Sequence, residues 1–119
     1  MIETLVCIAL AKSLIHDKIT YYSREMGAYE SMVDYIVRNE SQYNNCAKGD
    51  FHVPKPSLGL VQINLFYNAT VTPKDAYNSD FAIQYLINDL RLGKCSKWTT
   101  CRAFKAKYPT HPYFSNMET

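Results

Sequence analysis

The sequence predicts a small, mainly α domain with a short irregular or β segment after its second helix. Three observations carry that expectation. Apolar residues recur at helical spacing in three stretches, 3–26, 29–42 and 81–92. A run rich in Asn, Gly, Asp, Pro and Ser at 44–57 interrupts them. The length of 119 residues suits one domain with a modest core.

In the first stretch Leu5, Ile8, Ala9, Ile15 and Ile19 share a helical face, and Gly27 is a natural stop. Its apolar run at 5–11 is too short to span a membrane, and Lys12 ends it. Glu3 stands where an export signal carries positive charge, and no small-residue cleavage site follows. Residues 1–18 therefore read as part of the domain's first helix, with a residual or truncated export signal as the alternative. The second stretch carries Tyr29, Met32, Val33, Ile36 and Val37 at i, i+3, i+4, i+7 and i+8, a well-defined apolar stripe. Residues 44–57 read as a loop, and 60–65 as a strand or a buried turn. Loop chemistry fills 73–80. Ser79 or Asp80 is suited to cap a third helix over 81–92, with Phe81, Ile83, Leu86, Ile87 and Leu90 on its apolar face and Gly93 at its end. Thr99 or Thr100 is suited to cap a last helix to about Lys107, which Pro109 stops.

The formal charge of +2 is small and the basic residues are dispersed, which argues against nucleic acid as a partner. Ten tyrosines supply flat apolar surface with a hydroxyl, suited to sugars as well as to packing. Cys7, Cys46, Cys95 and Cys101 match no metal-ligand spacing, and His16, His52 and His111 are isolated, so neither a metal site nor a Ser-His triad is expected. Cys95 and Cys101 are close enough to close a short loop, and Cys46 is able to bridge to either. Four cysteines allow three full pairings. An exported protein with one disulfide and a protein with reduced, buried cysteines are both compatible with the spacing. No phosphate-binding loop or other cofactor motif is present, and no cofactor is expected.

Four residues beyond Ile36, the stripe of the second helix reaches Glu40. A carboxylate thus falls on the apolar face, at the helix C-terminal end, just before a loop. Burial disfavours the charged form of a carboxyl, and the negative end of the helix dipole acts in the same direction. Such a group can carry a proton near neutral pH and deliver it to a leaving oxygen. The alternative is a Glu that bends out to solvent at a frayed helix end.

Glu40-Ser41 is followed by Ser57-Leu58-Gly59-Leu60-Val61-Gln62-Ile63-Asn64. A Glu-Ser pair ending a helix, a polar loop and then Ser-x-Gly-Leu-x-Gln-Ile resembles the lysozyme-like superfamily, in particular the soluble lytic transglycosylase domain and the small phage and bacterial lysozymes. The segment Ile19-Thr20-Tyr21-Tyr22-Ser23-Arg24-Glu25-Met26-Gly27 is similar to the helix before the catalytic one in that family, and the resemblance covers roughly residues 19–104. It implies an α+β lysozyme-like fold and cleavage of the β-1,4 bond between N-acetylmuramic acid and N-acetylglucosamine. Glu40 is then the general acid and later the base, and Ser41 supports it through a hydrogen bond. Gly59 lets the backbone approach the sugar, Gln62 lines the cleft, and Ser57, Leu60 and Asn64 lie against substrate; the alternatives are plain turn chemistry for Ser57 and Gly59 and a place in the core for Leu60. The Ala-Tyr-Asn-Ala-Gly-like segment of the transglycosylase domain is replaced here by Gly93-Lys94-Cys95-Ser96-Lys97-Trp98-Thr99-Thr100-Cys101-Arg102, which leaves that family's acid-orienting tyrosine without a counterpart. Trp98 followed by Cys101 is closer to the small lysozymes, and Trp98 either packs a sugar face or belongs to the core.

Glycosidases that hydrolyse with two carboxylates need a second one, about 6.5–9.5 Å from the acid in the inverting case. Asp50, in the loop after Glu40, is the candidate, with turn chemistry beside Gly49 as the alternative. Asp75, Asp80 and Asp89 read as cap or surface residues. Without a facing carboxylate, the resemblance implies the lytic route, in which the muramoyl C6 hydroxyl attacks in place of water. The expectation is a muramidase or lytic transglycosylase, monomeric, secreted, periplasmic or phage-associated, with peptidoglycan as its partner. A catalytically silent glycan-binding or virion module and a chitin-oligomer hydrolase are the alternatives.

Overall fold

The computed structural model describes residues 6–49 and 56–115. Among them it contains six α-helices and a small antiparallel sheet. The helices are α1 (Lys12–Met26), α2 (Glu30–Ser41), α3 (Pro73–Tyr77), α4 (Ser79–Arg91), α5 (Thr99–Lys107) and α6 (Pro112–Ser115). The strands are β1 (Lys48–Gly49), β2 (Ser57–Leu58) and β3 (Ile63–Asn64), in the order β1-β2-β3. Lys48 pairs with Leu58, and Ser57 with Asn64. The mainly helical reading with a short β segment after the second helix agrees with this architecture.

Helix α1 packs on α2 and α4, and α2 packs on α5. The predicted stripes form the core between them: Ile15 and Ile19 from α1, Met32, Val33, Ile36 and Val37 from α2, and Ala82, Ile83, Leu86, Ile87 and Leu90 from α4. Gly27 ends α1 in the left-handed conformation at φ 69°, which glycine adopts without steric cost.

The first helix is shorter than predicted. Residues 6–11 are not helical, Ile8 and Ala9 are exposed, and Leu5 lies outside the described residues. A disulfide from Cys7 to Cys46 and the buried side chain of Asn45 hold this segment instead. Asn45 Oδ1 accepts from the Leu10 N–H at 2.9 Å, and its Nδ2 donates to the Ile8 carbonyl at 2.9 Å. These bonds occupy the Leu10 N–H and the Ile8 carbonyl outside any helix, and Ala11 is extended where α1 begins.

Other features differ from expectation as well. The stretch 44–57, read as a loop, carries β1 and the first residue of β2. The 73–80 loop contains helix α3, opened by a reciprocal capping box between Thr72 and Asp75 with Pro73 at its first position. Helix α4 is capped by the side chain of Asn78, which accepts from the Phe81 N–H, so neither Ser79 nor Asp80 is the cap. Trp98, with no side-chain cap, precedes α5 where Thr99 or Thr100 was expected to cap it. Both disulfides form, Cys7–Cys46 and Cys95–Cys101. Cys46 thus pairs with Cys7 and not with Cys95 or Cys101, and two bridges stand where one disulfide or reduced cysteines were expected.

Candidate active site

Glu40 lies in the last turn of α2 and is half-buried. The chain leaves that helix abruptly, because Gln42 and Tyr43 both adopt the left-handed conformation, at φ 53° and 64°. Consecutive left-handed non-glycine residues are costly and persist where contacts impose them. Here the Tyr43 hydroxyl donates to Asp34, with both carboxylate oxygens at 3.1 Å, and its ring lies 4.2 Å from that of His16. Burial and the Asp34 carboxylate raise the pKa of the Tyr43 hydroxyl above its ordinary value, so it stays a proton donor.

The Glu40 carboxylate meets the first turn of α5. Thr100 Oγ1 donates to Glu40 Oε2 at 2.5 Å. This partner was not foreseen from the sequence, because it lies sixty residues away and its only local signature is a hydroxyl at a helix start. Ser41 does not take the supporting role expected of it. Its buried hydroxyl donates to the Val37 carbonyl one turn back, at 3.1 Å, which is the habitual bond of a serine inside a helix.

The turn between β2 and β3 carries the rest of the motif. Gly59 has φ 83°, and a Cβ there would stand 1.8 Å from the carbonyl oxygen of Ala76. The glycine is therefore required by the approach of α3, where the resemblance assigned it to the approach of a sugar. Leu60 is fully buried, so it belongs to the core and not to a substrate surface. Gln62, at φ 52°, donates through Nε2 to the Gly59 carbonyl at 2.9 Å and the Ala47 carbonyl at 3.2 Å. It staples the hairpin turn to the segment before β1. Ser57 is buried, with Asn64 Nδ2 donating to its hydroxyl at 3.4 Å. Asn64 Oδ1 accepts from the Phe66 and Tyr67 N–H groups at 2.9 and 3.3 Å and shapes the loop that follows. Asp50 and His52 lie outside the described residues.

Gln62, Ile63, Asn64, Tyr67, Asn68, Tyr85, Lys97 and Trp98 line a cavity of about 260 Å³ between the hairpin, α4 and the turn before α5. Trp98 is only 5% exposed, and its indole N–H donates to the Val61 carbonyl at 2.7 Å. It is a core residue that shows an edge to the cavity. Tyr67, 81% exposed, also lines it. Polar side chains of the lining belong to a hydrogen-bond network. Lys97 Nζ donates to Asp89 Oδ2 at 2.5 Å and to the Tyr85 hydroxyl at 2.9 Å, and Tyr85 donates to Asn68 Oδ1. The ammonium also lies 4.9 Å from the Tyr85 ring centroid and 5.3 Å from that of Trp98, within cation–π range. Burial alone would lower the Lys97 pKa, but the bonds to Asp89 and Tyr85 outweigh it and hold the pKa above its ordinary value. Asp89 is buried and paired, which corrects its reading as a surface residue. Tyr85 and Asp89 stand four apart on α4, a spacing visible in sequence, but the lysine that joins them comes from another element.

No protein-family model, curated protein or solved structure matches the chain. Among the described residues no cluster of three metal-capable side chains occurs, and no helix is long and apolar enough to cross a membrane. The described residues thus offer a half-buried carboxyl group, bonded to a hydroxyl at the start of α5, and a polar and aromatic cavity lined in part by Trp98 of the turn before that helix.

Proposed function

We propose that this protein cleaves the glycan strand of peptidoglycan at the β-1,4 bond between N-acetylmuramic acid and N-acetylglucosamine, on a lysozyme-like fold. The observation that carries the reading is Glu40. It combines a helix-terminal, half-buried carboxyl group with a hydroxyl partner that orients it, an arrangement suited to delivering a proton to a glycosidic oxygen. Glu40 protonates the leaving oxygen. It then takes a proton either from water, in hydrolysis, or from the muramoyl C6 hydroxyl, which closes an anhydro ring. The cavity suits an acetamido sugar, with amide and hydroxyl groups for its polar edge and Tyr67 for its apolar face. The Lys97–Asp89 pair adds no net charge to that surface. Two disulfides fit an oxidising compartment, consistent with a secreted, periplasmic or phage-associated wall enzyme.

One observation favours a second reading, a glycan-binding module without catalysis. Ser41, Gly59 and Gln62 all serve the scaffold through internal contacts, and a silent module would retain them for the same reason. Incubation of purified cell-wall sacculi with the protein, followed by mass spectrometry of the soluble fraction, separates the two. Muropeptides with reducing ends indicate hydrolysis, and anhydro ends indicate the lytic route. Retention on sacculi with no soluble product supports the binding module. Turnover of chitin oligomers in preference to sacculi would move the substrate to chitin.

A further inference from the structure

We propose that Thr100 is the positioning residue of Glu40. The inference rests on the reading of Glu40 as the acid. It starts from the 2.5 Å contact between Thr100 Oγ1 and Glu40 Oε2. The hydroxyl donates to Oε2 when Glu40 is ionised, and to the same oxygen, then the carbonyl of the carboxylic acid, when the proton sits on Oε1. One residue therefore holds the carboxyl group in place on both sides of the proton transfer. While Thr100 donates to Oε2, the proton of Glu40 is directed to Oε1.

The surroundings show why this hydroxyl is well placed. Thr100 stands in the first turn of α5, and three constraints fix that turn. The Trp98 indole, two residues earlier, is bonded to Val61 of the hairpin. The Cys95–Cys101 disulfide closes the preceding turn onto the residue after Thr100. Cys101 and Phe104 are buried in the core, where α5 packs on α2. The β-branched side chain of threonine also has few rotamers in a helix. A hydroxyl on such a mounting keeps the carboxyl group from swinging toward solvent at the end of α2, and this preorganisation benefits the transition state of proton transfer.

Two variants test the proposal. Thr100→Val keeps the shape and removes the hydroxyl, and Thr100→Ser restores it. The first readout is the titration of the Glu40 carboxyl carbon by NMR, which is independent of turnover. The second is the pH profile of muropeptide release. In Thr100→Val the Glu40 midpoint is expected to rise by about one pH unit, because a hydrogen bond to the ionised form is lost. The rate is expected to fall about ten-fold or more, with KM little changed. Thr100→Ser is expected to recover most of both. An unshifted midpoint in Thr100→Val, or a serine variant as impaired as valine, overturns the positioning role while leaving Glu40 as the acid. A shifted midpoint in a protein whose wild type cleaves nothing shows a real contact without a reaction to serve, and overturns the proposal together with the function it rests on.

Discussion

The indole N–H of Trp98 and the backbone carbonyl of Val61 meet at 2.7 Å, so the start of α5 is fastened to the β2–β3 turn inside the protein. This bond joins the hairpin turn that carries Gln62 to the start of the helix that carries Thr100. Trp98→Phe keeps an aromatic ring and removes the donor. A buried carbonyl left without its partner costs about 1–3 kcal/mol. The urea midpoint is expected to fall accordingly with an unchanged slope, and an unchanged midpoint would show that the bond contributes nothing.

Gly59 makes a sharper test of the fold. A side chain there would meet the Ala76 carbonyl at 1.8 Å, and the backbone is left-handed at φ 83°. Neither α3 nor the turn has a flexible atom to move. Gly59→Ala is expected to destabilise the protein by about 3 kcal/mol or more, read as a large drop in Tm by circular dichroism. A near-wild-type melt would mean that α3 does not sit against this turn.

The two disulfides are expected to differ in weight. Loop-closure entropy assigns about 4 kcal/mol to a bridge spanning the 39-residue separation of Cys7–Cys46 and about 2 kcal/mol to the 6-residue separation of Cys95–Cys101. Paired Cys→Ala variants, compared by denaturant unfolding, check the order. The short bridge, although less stabilising, is expected to have the larger effect on cleavage, because it closes the turn beside Thr100. Equal activity in the two double variants would contradict that assignment.

Asp80 ties α4 to α1 through Lys18 at 2.7 Å and the Tyr22 hydroxyl at 2.9 Å. The Lys18 bond holds the Asp80 carboxyl below its ordinary 3.8, against the burial that pushes it upward. A carboxyl whose pKa is lower folded than unfolded stabilises fully above the unfolded value, and this contribution fades as the pH falls through the folded one. The side chain is 44% exposed, so solvent screening limits the effect to under about 1 kcal/mol. Asp80→Asn is expected to lower Tm by about 2–4 °C near neutral pH, with the difference vanishing under strong acid. A difference independent of pH would remove Asp80 ionisation from the account.

Much of the helical core was legible because its signal is local. The stripe from Met32 to Val37 and that from Ile83 to Leu90 appear as spaced apolar residues, and both are buried as their spacing requires. Glu40 was legible for the same reason, being one further step along a stripe. What the sequence concealed depends on distant partners. Ile8 fits a helical pattern, yet Asn45 and the Cys7–Cys46 bridge draw the segment out of it. Thr100 and Lys97 acquire their roles only where α5 and its preceding turn meet α2 and α4. Gly59 and Gln62 were found as motif residues, but their contacts belong to the scaffold.

The central claim is that Glu40 donates the proton that breaks the glycosidic bond, and Glu40→Gln tests it most directly. The amide keeps the size and the ability to accept from Thr100, and it cannot act as an acid. With a folded variant confirmed by its melt, the account predicts that clearing of a cell-wall suspension falls at least about a hundred-fold while retention on sacculi persists. Clearing at the wild-type rate would contradict it.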